Sequence, residues 1–225
     1  ALLGILIPLA LEKHLSAIML LGLVAVVMMY IAGTHPKWLL LGAAGAVVFL
    51  LVYIRFMGYA GDRVTAWRNP ESDPGDTGYQ ILQSLYAIGS GGVFGLGFGK
   101  SRQKYLYLPF QYNDYIFAIV CEELGLVGAC GIIFLYALLL LRGYWIARKA
   151  ENRFSTVLTA GLVTLIAVQT ILNLCVVTNL LPSTGIALPF FSYGGTALAV
   201  NLGEMGIVLN ISRSGNNRTI RRKEF

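Results

Sequence analysis

The sequence predicts an all-α polytopic integral membrane protein with about six transmembrane helices and a large extracytoplasmic loop. Of its 225 residues, 56% are hydrophobic and only 12% are charged. The mean hydropathy is +0.69, and the apolar residues form long runs where an amphipathic surface helix would show a one-sided stripe. Soluble domains carry about 25% charged residues, so this composition is too poor in charge to cover a water-facing surface.

Six apolar runs are the candidate helices. A bilayer core of roughly 30 Å requires about 20 helical residues, and the last five runs come near that length or exceed it. The first run is short and begins on Ala1 without a basic region or a cleavage site, which is typical of a cut helix. We therefore expect the chain to be the C-terminal part of a longer membrane protein. The runs are residues 1–10, 15–32, 38–54, 124–141, 156–181 and 186–211.

Basic residues in two short segments predict the orientation. Residues 142–153 carry four basic residues against one acidic, and the tail from Ser212 carries five against one. Short loops rich in Lys and Arg face the cytoplasm, so the formal charge of +6 is a topology signal and we expect no nucleic-acid partner. The predicted organisation is three transmembrane helices in residues 1–57 with the first cut, an extracytoplasmic loop in 58–114, three transmembrane helices in 115–211 and a basic cytoplasmic tail in 212–225.

The predicted outer loop contains one helical pattern. The stretch TGYQILQSLYAIGSGG, residues 77–92, places apolar residues at helical spacing with polar residues, Ser84 among them, in between. This pattern predicts a short amphipathic helix lying at the membrane interface.

A glycine-rich stretch follows that helix. IGSGGVFGLGFGKSRQK, residues 88–104, contains six glycines and then three basic residues. Exposed backbone N–H groups beside cations are suited to a phosphate or diphosphate. The same stretch also fits a tight re-entrant turn whose cations touch lipid headgroups, and both interpretations stay open. It has neither a preceding strand nor a Walker pattern, so we expect no nucleotide site.

Three carboxylates lie close together in YLPFQYNDYIFAIVCEELG, residues 107–125. Asp114 is at the outer start of a helix, where it either caps the helix or stays available for chemistry. Glu122 and Glu123 are two to three turns deeper, where a lone carboxylate costs on the order of 2.5–3.5 kcal/mol and needs a polar partner. Asp114 and Glu122 are about 12 Å apart along the axis. Because that exceeds the roughly 6.5–9.5 Å of an inverting glycosidase pair, we do not read them as one acid–base pair.

Polar and helix-breaking residues also interrupt the last two runs. Gln169 and Asn173 are four residues apart on one helix face, which fits interhelical hydrogen bonds or a substrate cavity. Pro189, Gly194 and Gly195 lie within the last apolar run, and they disfavour an unbroken helix there. A membrane tolerates such a break only where protein or a cavity satisfies the backbone, so we expect a broken helix near the outer face.

Three long stretches together resemble the SEDS proteins of bacterial cell-wall synthesis, the FtsW, RodA and SpoVE group. They are SDPGDTGYQILQSLYAIGSGGVFGLGFGKSRQKYLYLP, NDYIFAIVCEELGLVG and LPSTGIALPFFSYGGTALAVNLGEMGIVLNISR, in the family order. The resemblance implies a ten-helix peptidoglycan glycosyltransferase of the bacterial cytoplasmic membrane, of which this chain would be the last six helices. It further implies lipid II, an undecaprenyl diphosphate-linked substrate, a divalent cation (Mg or Mn), and a class B penicillin-binding protein as partner, in contact with membrane lipids.

The resemblance also implies roles for single residues. Asp114 falls on the family's essential aspartate and would be the general base that takes the proton of the acceptor hydroxyl. A departure lies just before it, because Phe110 and Gln111 stand where the family commonly has an acidic residue. Candidates for holding the diphosphate or sugar, or for lining the broken helix, are Lys100, Ser101, Arg102, Gln103, Lys104, Ser192 and Tyr193.

Two other functions remain open at this stage. A lipid II flippase would use the polar helix faces and the broken helix as a translocation path. A scaffold would only recruit the penicillin-binding protein. We expect the chain by itself to be inactive, because the helices that the resemblance implies before residue 1 would supply walls of the cavity.

Overall fold

The computed structural model describes residues 15–56, 58–72, 77–103 and 112–221. Within these ranges the chain forms α-helices and one short 3₁₀-helix and has no β-strand, which confirms the all-α class. The helices are α1 (Leu15–Ile31), α2 (Pro36–Phe56), α3 (Gly58–Arg68), the 3₁₀-helix (Pro70–Ser72), α4 (Thr77–Gly91), α5 (Ile116–Arg148), α6 (Arg153–Val177) and α7 (Gly195–Arg221).

Two of the described helices are long and apolar enough to cross a bilayer. They are α5, with 33 residues, and α6, with 25. At 1.5 Å per residue, both exceed the roughly 30 Å of a hydrocarbon core. The apolar part of α1 is shorter. The count of six spans stays a prediction.

The chain divides into two compact units. The first contains the described parts of Ala1–Ala46, Tyr136–Val168 and Gly195–Phe225, and the second those of Val47–Leu135 and Gln169–Gly194. The candidate site residues that the structure describes all lie in the second unit.

Close helix packing forms the core of the first unit. Ile146, Val163 and Val208, from α5, α6 and α7, form a buried apolar cluster. Gly143 permits this approach, since a Cβ there would lie 2.5 Å from a methyl carbon of Val163. A small residue at a helix crossing lets two backbones come together, as is common between membrane helices.

In the second unit, α4 confirms the short helix predicted for residues 77–92. Ile81, Ser84 and Ala87 lie on its buried face at intervals of three residues. Placing Ser84 on the polar face was wrong, because it is fully buried and its hydroxyl donates to the carbonyl of Val177 at 2.8 Å. Val177 ends α6, and the carbonyls of a last helical turn have no partner within their own helix. The serine therefore satisfies a group that an apolar residue would leave unpaired.

The helix α5 breaks at Gly125, where the backbone has φ 65° and ψ −167°. In a continuous helix the amides of Leu126 and Val127 would donate to carbonyls four residues earlier. They donate instead to the carbonyls of Gly92 and Val93, at 2.9 and 3.2 Å. The residues that follow α4 therefore replace part of the helical hydrogen bonding of α5.

The carbonyls left open by this break are also satisfied. The amide of Leu96 donates to the carbonyl of Glu122 and that of Gly97 to the carbonyl of Glu123, both at 3.0 Å. We call residues 92–103 the glycine loop. Its backbone is joined to the break in α5 by hydrogen bonds in both directions, the condition under which irregular backbone is tolerated at membrane depth.

The predicted run 186–211 is helical only from Gly195, where α7 begins. Residues 178–194 form turns, bends and backbone without regular structure, and two non-glycine residues there, Asn179 and Phe190, have positive φ. The interruption thus precedes the helix and does not divide it. Pro189 fits this position, because proline lacks the N–H that a helix interior requires.

Candidate active site

Asp114 lies in the turn of residues 112–115, immediately before α5. Its side chain is half-buried, and no residue within the described ranges donates a hydrogen bond to its carboxylate. The capping interpretation therefore has no support from the described residues. Burial raises the pKa of the Asp114 carboxyl above its ordinary value, and the nearby positive charge of Arg63 opposes part of that rise.

Asn173 fixes the backbone at Asp114. This α6 residue is 1% exposed, and its side-chain amide donates to the carbonyl of Asp114 at 2.7 Å and to that of Ile186 at 2.8 Å. Both acceptors lie in non-helical segments, so the hydrogen bonds of Asn173 are not the interhelical ones that the sequence suggested for this face. Gln169, on the same face, is only half-buried.

Arg63 and the segment before α7 complete the surroundings of the carboxylate. The Arg63 guanidinium donates to the carbonyl of Ser183 at 3.0 Å. Gly185 lies beside Asp114, since a Cβ on Gly185 would be 3.7 Å from a carboxylate oxygen. No local pattern in the sequence singles out Arg63, so its place beside Asp114 was missed.

The structure brings Ser192 and Tyr193 to the turn that carries Asp114. The Ser192 hydroxyl donates to the carbonyl of Asn113 at 2.5 Å and accepts from the amide of Leu188 at 2.7 Å. The amide of Tyr193 donates to the carbonyl of Tyr112 at 2.7 Å. The Ser192 hydroxyl thus shapes the turn, while the Tyr193 ring is 82% exposed.

The other predicted binding residues lie in the glycine loop. Lys100 and Arg102 are exposed, Ser101 between them is fully buried, and Gln103 is half-buried. Lys104 lies outside the described residues. Lys100 and Arg102 are therefore accessible to a ligand, whereas the Ser101 side chain is not.

Glu122 and Glu123 hold the inward side of the loop. They are 1% and 9% exposed. The Glu123 carboxylate accepts from the amides of Gly99 at 2.9 Å and Ser101 at 3.3 Å. The Glu122 carboxylate accepts from the amides of Arg102 at 3.0 Å and Gln103 at 3.3 Å, and from the Ser101 hydroxyl. The expectation that these deeper carboxylates have polar partners is confirmed.

A metal centre built by the protein alone is not found in the described part of the chain. No group of three His, Cys, Asp or Glu side chains there is arranged to hold a metal ion. Glu122 and Glu123 are already occupied by loop amides. Asp114 is the candidate-site carboxylate for which the described residues supply no hydrogen-bond donor.

The fold and the site together give an all-helical arrangement with two helices long and apolar enough to cross a bilayer, and a half-buried carboxylate just before the first of these helices. The family model described as cell cycle protein, FtsW/RodA/SpoVE, matches residues 1–217. The chain belongs to this family of bacterial cell-envelope membrane proteins, and the resemblance noted in the sequence is confirmed.

Curated relatives agree with this assignment. The chain is 42% identical over 212 residues to the probable peptidoglycan glycosyltransferase FtsW of Geobacter sulfurreducens, covering 94% of the chain and 57% of the relative. It is 44% identical over 189 residues to stage V sporulation protein E of Bacillus subtilis, covering 84% and 51%. It is 39% identical over 207 residues to the peptidoglycan glycosyltransferase MrdB of Escherichia coli, covering 90% and 55%. The chain therefore spans little more than half the length of these relatives.

Solved structures give the same result for the fold. A chain from a structure described as a peptidoglycan synthase complex that coordinates polymerization and crosslinking matches with a TM-score of 0.78 at 27% identity, covering 94% of this chain and 59% of that one. RodA, the rod-shape-determining protein of Thermus thermophilus, matches with a TM-score of 0.62 at 26% identity, covering 94% and 54%.

Proposed function

We propose that the protein is a peptidoglycan glycosyltransferase that polymerises lipid II, with Asp114 as its general base. The observation that carries the proposal is the Asp114 carboxylate itself. It is half-buried at the start of α5, its backbone is held by Asn173, and no described donor occupies its oxygens. The names of the relatives support the reaction class.

The surroundings of Asp114 suit proton transfer. Joining two sugars requires a base that takes the proton of the attacking hydroxyl, and such a base works best when its pKa approaches the working pH. Burial moves the pKa of Asp114 upward, while Arg63 keeps the carboxylate charged over more of the pH range. Desolvation thus raises the pKa of the proposed base, and the neighbouring cation lowers it.

The glycine loop supplies the proposed contacts to the leaving diphosphate. Lys100 and Arg102 are exposed and carry the charge that a diphosphate attracts. Gln103 and Lys104 extend the same segment. Ser101 is buried against Glu122, so its role in the proposal is to hold the loop. Ser192 shapes the turn of Asp114, and Tyr193 offers an exposed ring to a sugar.

A divalent cation, Mg²⁺ or Mn²⁺, is part of the proposal. Mg²⁺ commonly binds through one or two carboxylates together with substrate phosphates. The donor set fits that mode, because the Asp114 carboxylate is half-buried and no described residue donates a hydrogen bond to it. When bound, the cation would neutralise charge on the departing diphosphate.

The membrane arrangement follows from the same proposal. The two bilayer-length helices and the basic segments support a multi-pass protein of the cytoplasmic membrane, with residues 58–114 outside and the tail from Ser212 inside. The solved peptidoglycan synthase complex supports a class B penicillin-binding protein as partner. Lipid II, assembled on the membrane, would meet Asp114 at the outer face.

The test uses the complete gene product that contains this chain, reconstituted in vesicles with a class B penicillin-binding protein, lipid II and Mg²⁺. Glycan strands and translocation of the lipid II headgroup are measured together. We expect strands from the wild type and from Glu71→Gln, an exposed carboxylate on the 3₁₀-helix, and none from Asp114→Asn. Equal strands from Asp114→Asn would remove Asp114 as the base. If the wild type translocates the lipid II headgroup but makes no strands, the protein is a flippase. If the wild type shows neither activity, the scaffold function is indicated.

A further inference from the structure

The paired carboxylates of Glu122 and Glu123, together called the carboxylate clamp, take no direct part in the proposed chemistry. They nevertheless receive five hydrogen bonds from residues 99–103, four from backbone amides and one from a hydroxyl. Buried side-chain oxygens are costly without hydrogen-bond partners, and these five donors satisfy the oxygens of both buried glutamates. The clamp is therefore a specific anchor for one conformation of the loop.

The helix break adds a second attachment. The glycine loop exchanges backbone hydrogen bonds with α5 on both sides of Gly125. A side chain at that position is excluded, since a Cβ on Gly125 would lie 2.3 Å from the amide nitrogen of Gly95. The loop is thus held at its glycine-rich end by backbone and at its basic end by the clamp.

The clamp determines which side chains face outward. Ser101 points inward to both glutamates, whereas its neighbours Lys100 and Arg102 are exposed. Lys100 and Arg102 are thus two exposed cations within three consecutive residues. That spacing is compatible with two cations on one diphosphate.

The clamp also leaves those cations available. Its oxygens are used by amides and a hydroxyl, and neither Lys100 nor Arg102 forms an ion pair with any carboxylate of the described residues. Two glutamates so near two cations would otherwise be expected to neutralise them. Backbone amides therefore separate the negative charges from the positive ones.

We propose that Glu122 and Glu123 are positioning residues, which hold residues 99–103 so that Lys100 and Arg102 face outward and bind the diphosphate of the lipid-linked substrate. The identity of the ligand rests on the proposed function, whereas the positioning role rests on the observed hydrogen bonds. Glutamine in place of either glutamate keeps the shape and puts an N–H donor where amides donate.

The first test is independent of catalysis. Amide hydrogen exchange at residues 99, 101, 102 and 103 is compared in the complete gene product for the wild type, Glu122→Gln, Glu123→Gln and Glu204→Gln. Glu204 is a matched control, because it is 9% exposed on α7 and outside the clamp. We expect exchange about fivefold faster in the two clamp variants alone, the factor that corresponds to the loss of one net hydrogen bond of about 1 kcal/mol. Unchanged exchange would overturn the proposal.

The second test asks whether the clamp acts through the cations. We expect the Kd for undecaprenyl diphosphate to rise about tenfold in Glu122→Gln, and the KM for lipid II to rise with a kcat within about twofold of wild type. In a Lys100→Ala/Arg102→Ala background, Glu122→Gln should cause no further rise in Kd. An unchanged Kd, or the same rise in both backgrounds, would overturn the positioning role. The absence of strands from the wild type would refute the proposed glycosyltransferase. The Kd would still decide the positioning role in that case, because a binding measurement needs no turnover.

Discussion

The side-chain amide of Asn173 donates a hydrogen bond to the backbone carbonyl of Asp114 at 2.7 Å. Asn173 thus fixes the proposed base through its main chain and leaves the carboxylate free of that contact. The same amide holds Ile186, in the segment where Gly185 lies beside the carboxylate. One buried residue of α6 therefore holds both the backbone of Asp114 and the neighbouring segment that contains Gly185 and Ile186.

Replacing Asn173 with alanine should lower the free energy of unfolding by about 2–6 kcal/mol. Two backbone carbonyls would lose their donor, and each buried unsatisfied group costs about 1–3 kcal/mol. Gln169→Ala, one turn earlier on α6, is the matched control and should cost less than about 1 kcal/mol. Denaturant unfolding in detergent measures both. Equal losses would show that the Asn173 bridge has no special role.

Removing Arg63 should change the pH dependence of the reaction. Its charge lowers the pKa of Asp114, so Arg63→Gln should raise that pKa and move the acid limb of the kcat/KM profile to higher pH. Arg63→Lys keeps the charge and should move it less. Arg68→Gln, an exposed residue at the end of α3, should leave it in place. If the acid limb does not move in Arg63→Gln, the charge of Arg63 does not influence the pKa of the base.

Replacing Asp114 with asparagine should not destabilise the protein at neutral pH. Burial raises the folded-state pKa of this carboxyl above its ordinary value, so the wild type gains stability as the pH falls through that raised pKa and loses it as the pH rises. The variant lacks this titration. Its melting temperature should equal or exceed the wild-type value at pH 7–8, and the difference should shrink on acidification. A large loss at neutral pH would mean that the charge is needed for folding.

Adding a methyl group at the break in α5 should disturb the glycine loop. Gly125→Ala places a Cβ 2.3 Å from the amide nitrogen of Gly95, at a backbone φ of 65°, so we expect a loss of more than about 2 kcal/mol. Gly131→Ala lies on the same helix with no atom within 4 Å of the added carbon. It should be neutral or slightly stabilising. Similar melting temperatures for the two variants would contradict the account of the break.

Local patterns in the sequence located several residues of the candidate site. Asp114 was recognisable by its position at the mouth of an apolar run. Glu122 and Glu123 were recognisable as carboxylates too deep to stand alone. The period of residues 77–92 predicted α4, because helical spacing is a local property of the chain.

Contacts between distant segments were beyond such patterns. Arg63 and Ser183 are 120 residues apart, and no spacing rule relates them. Ser84 looked like a polar-face residue, but its burial depends on an unpaired carbonyl at the end of another helix. Gly125 was one glycine within an apolar run, and its role depends on the loop that replaces the helical hydrogen bonds.

The most direct test of the central claim is the initial rate of glycan-strand formation by the complete gene product with lipid II, Mg²⁺ and a class B penicillin-binding protein. Wild type and Asp114→Asn are compared at saturating lipid II, on the condition that the variant melts at no lower temperature than the wild type. A general base contributes about 10²–10⁴-fold to a rate, so we expect a loss of that size in Asp114→Asn. A rate within about threefold of wild type would contradict the assignment of Asp114 as the base.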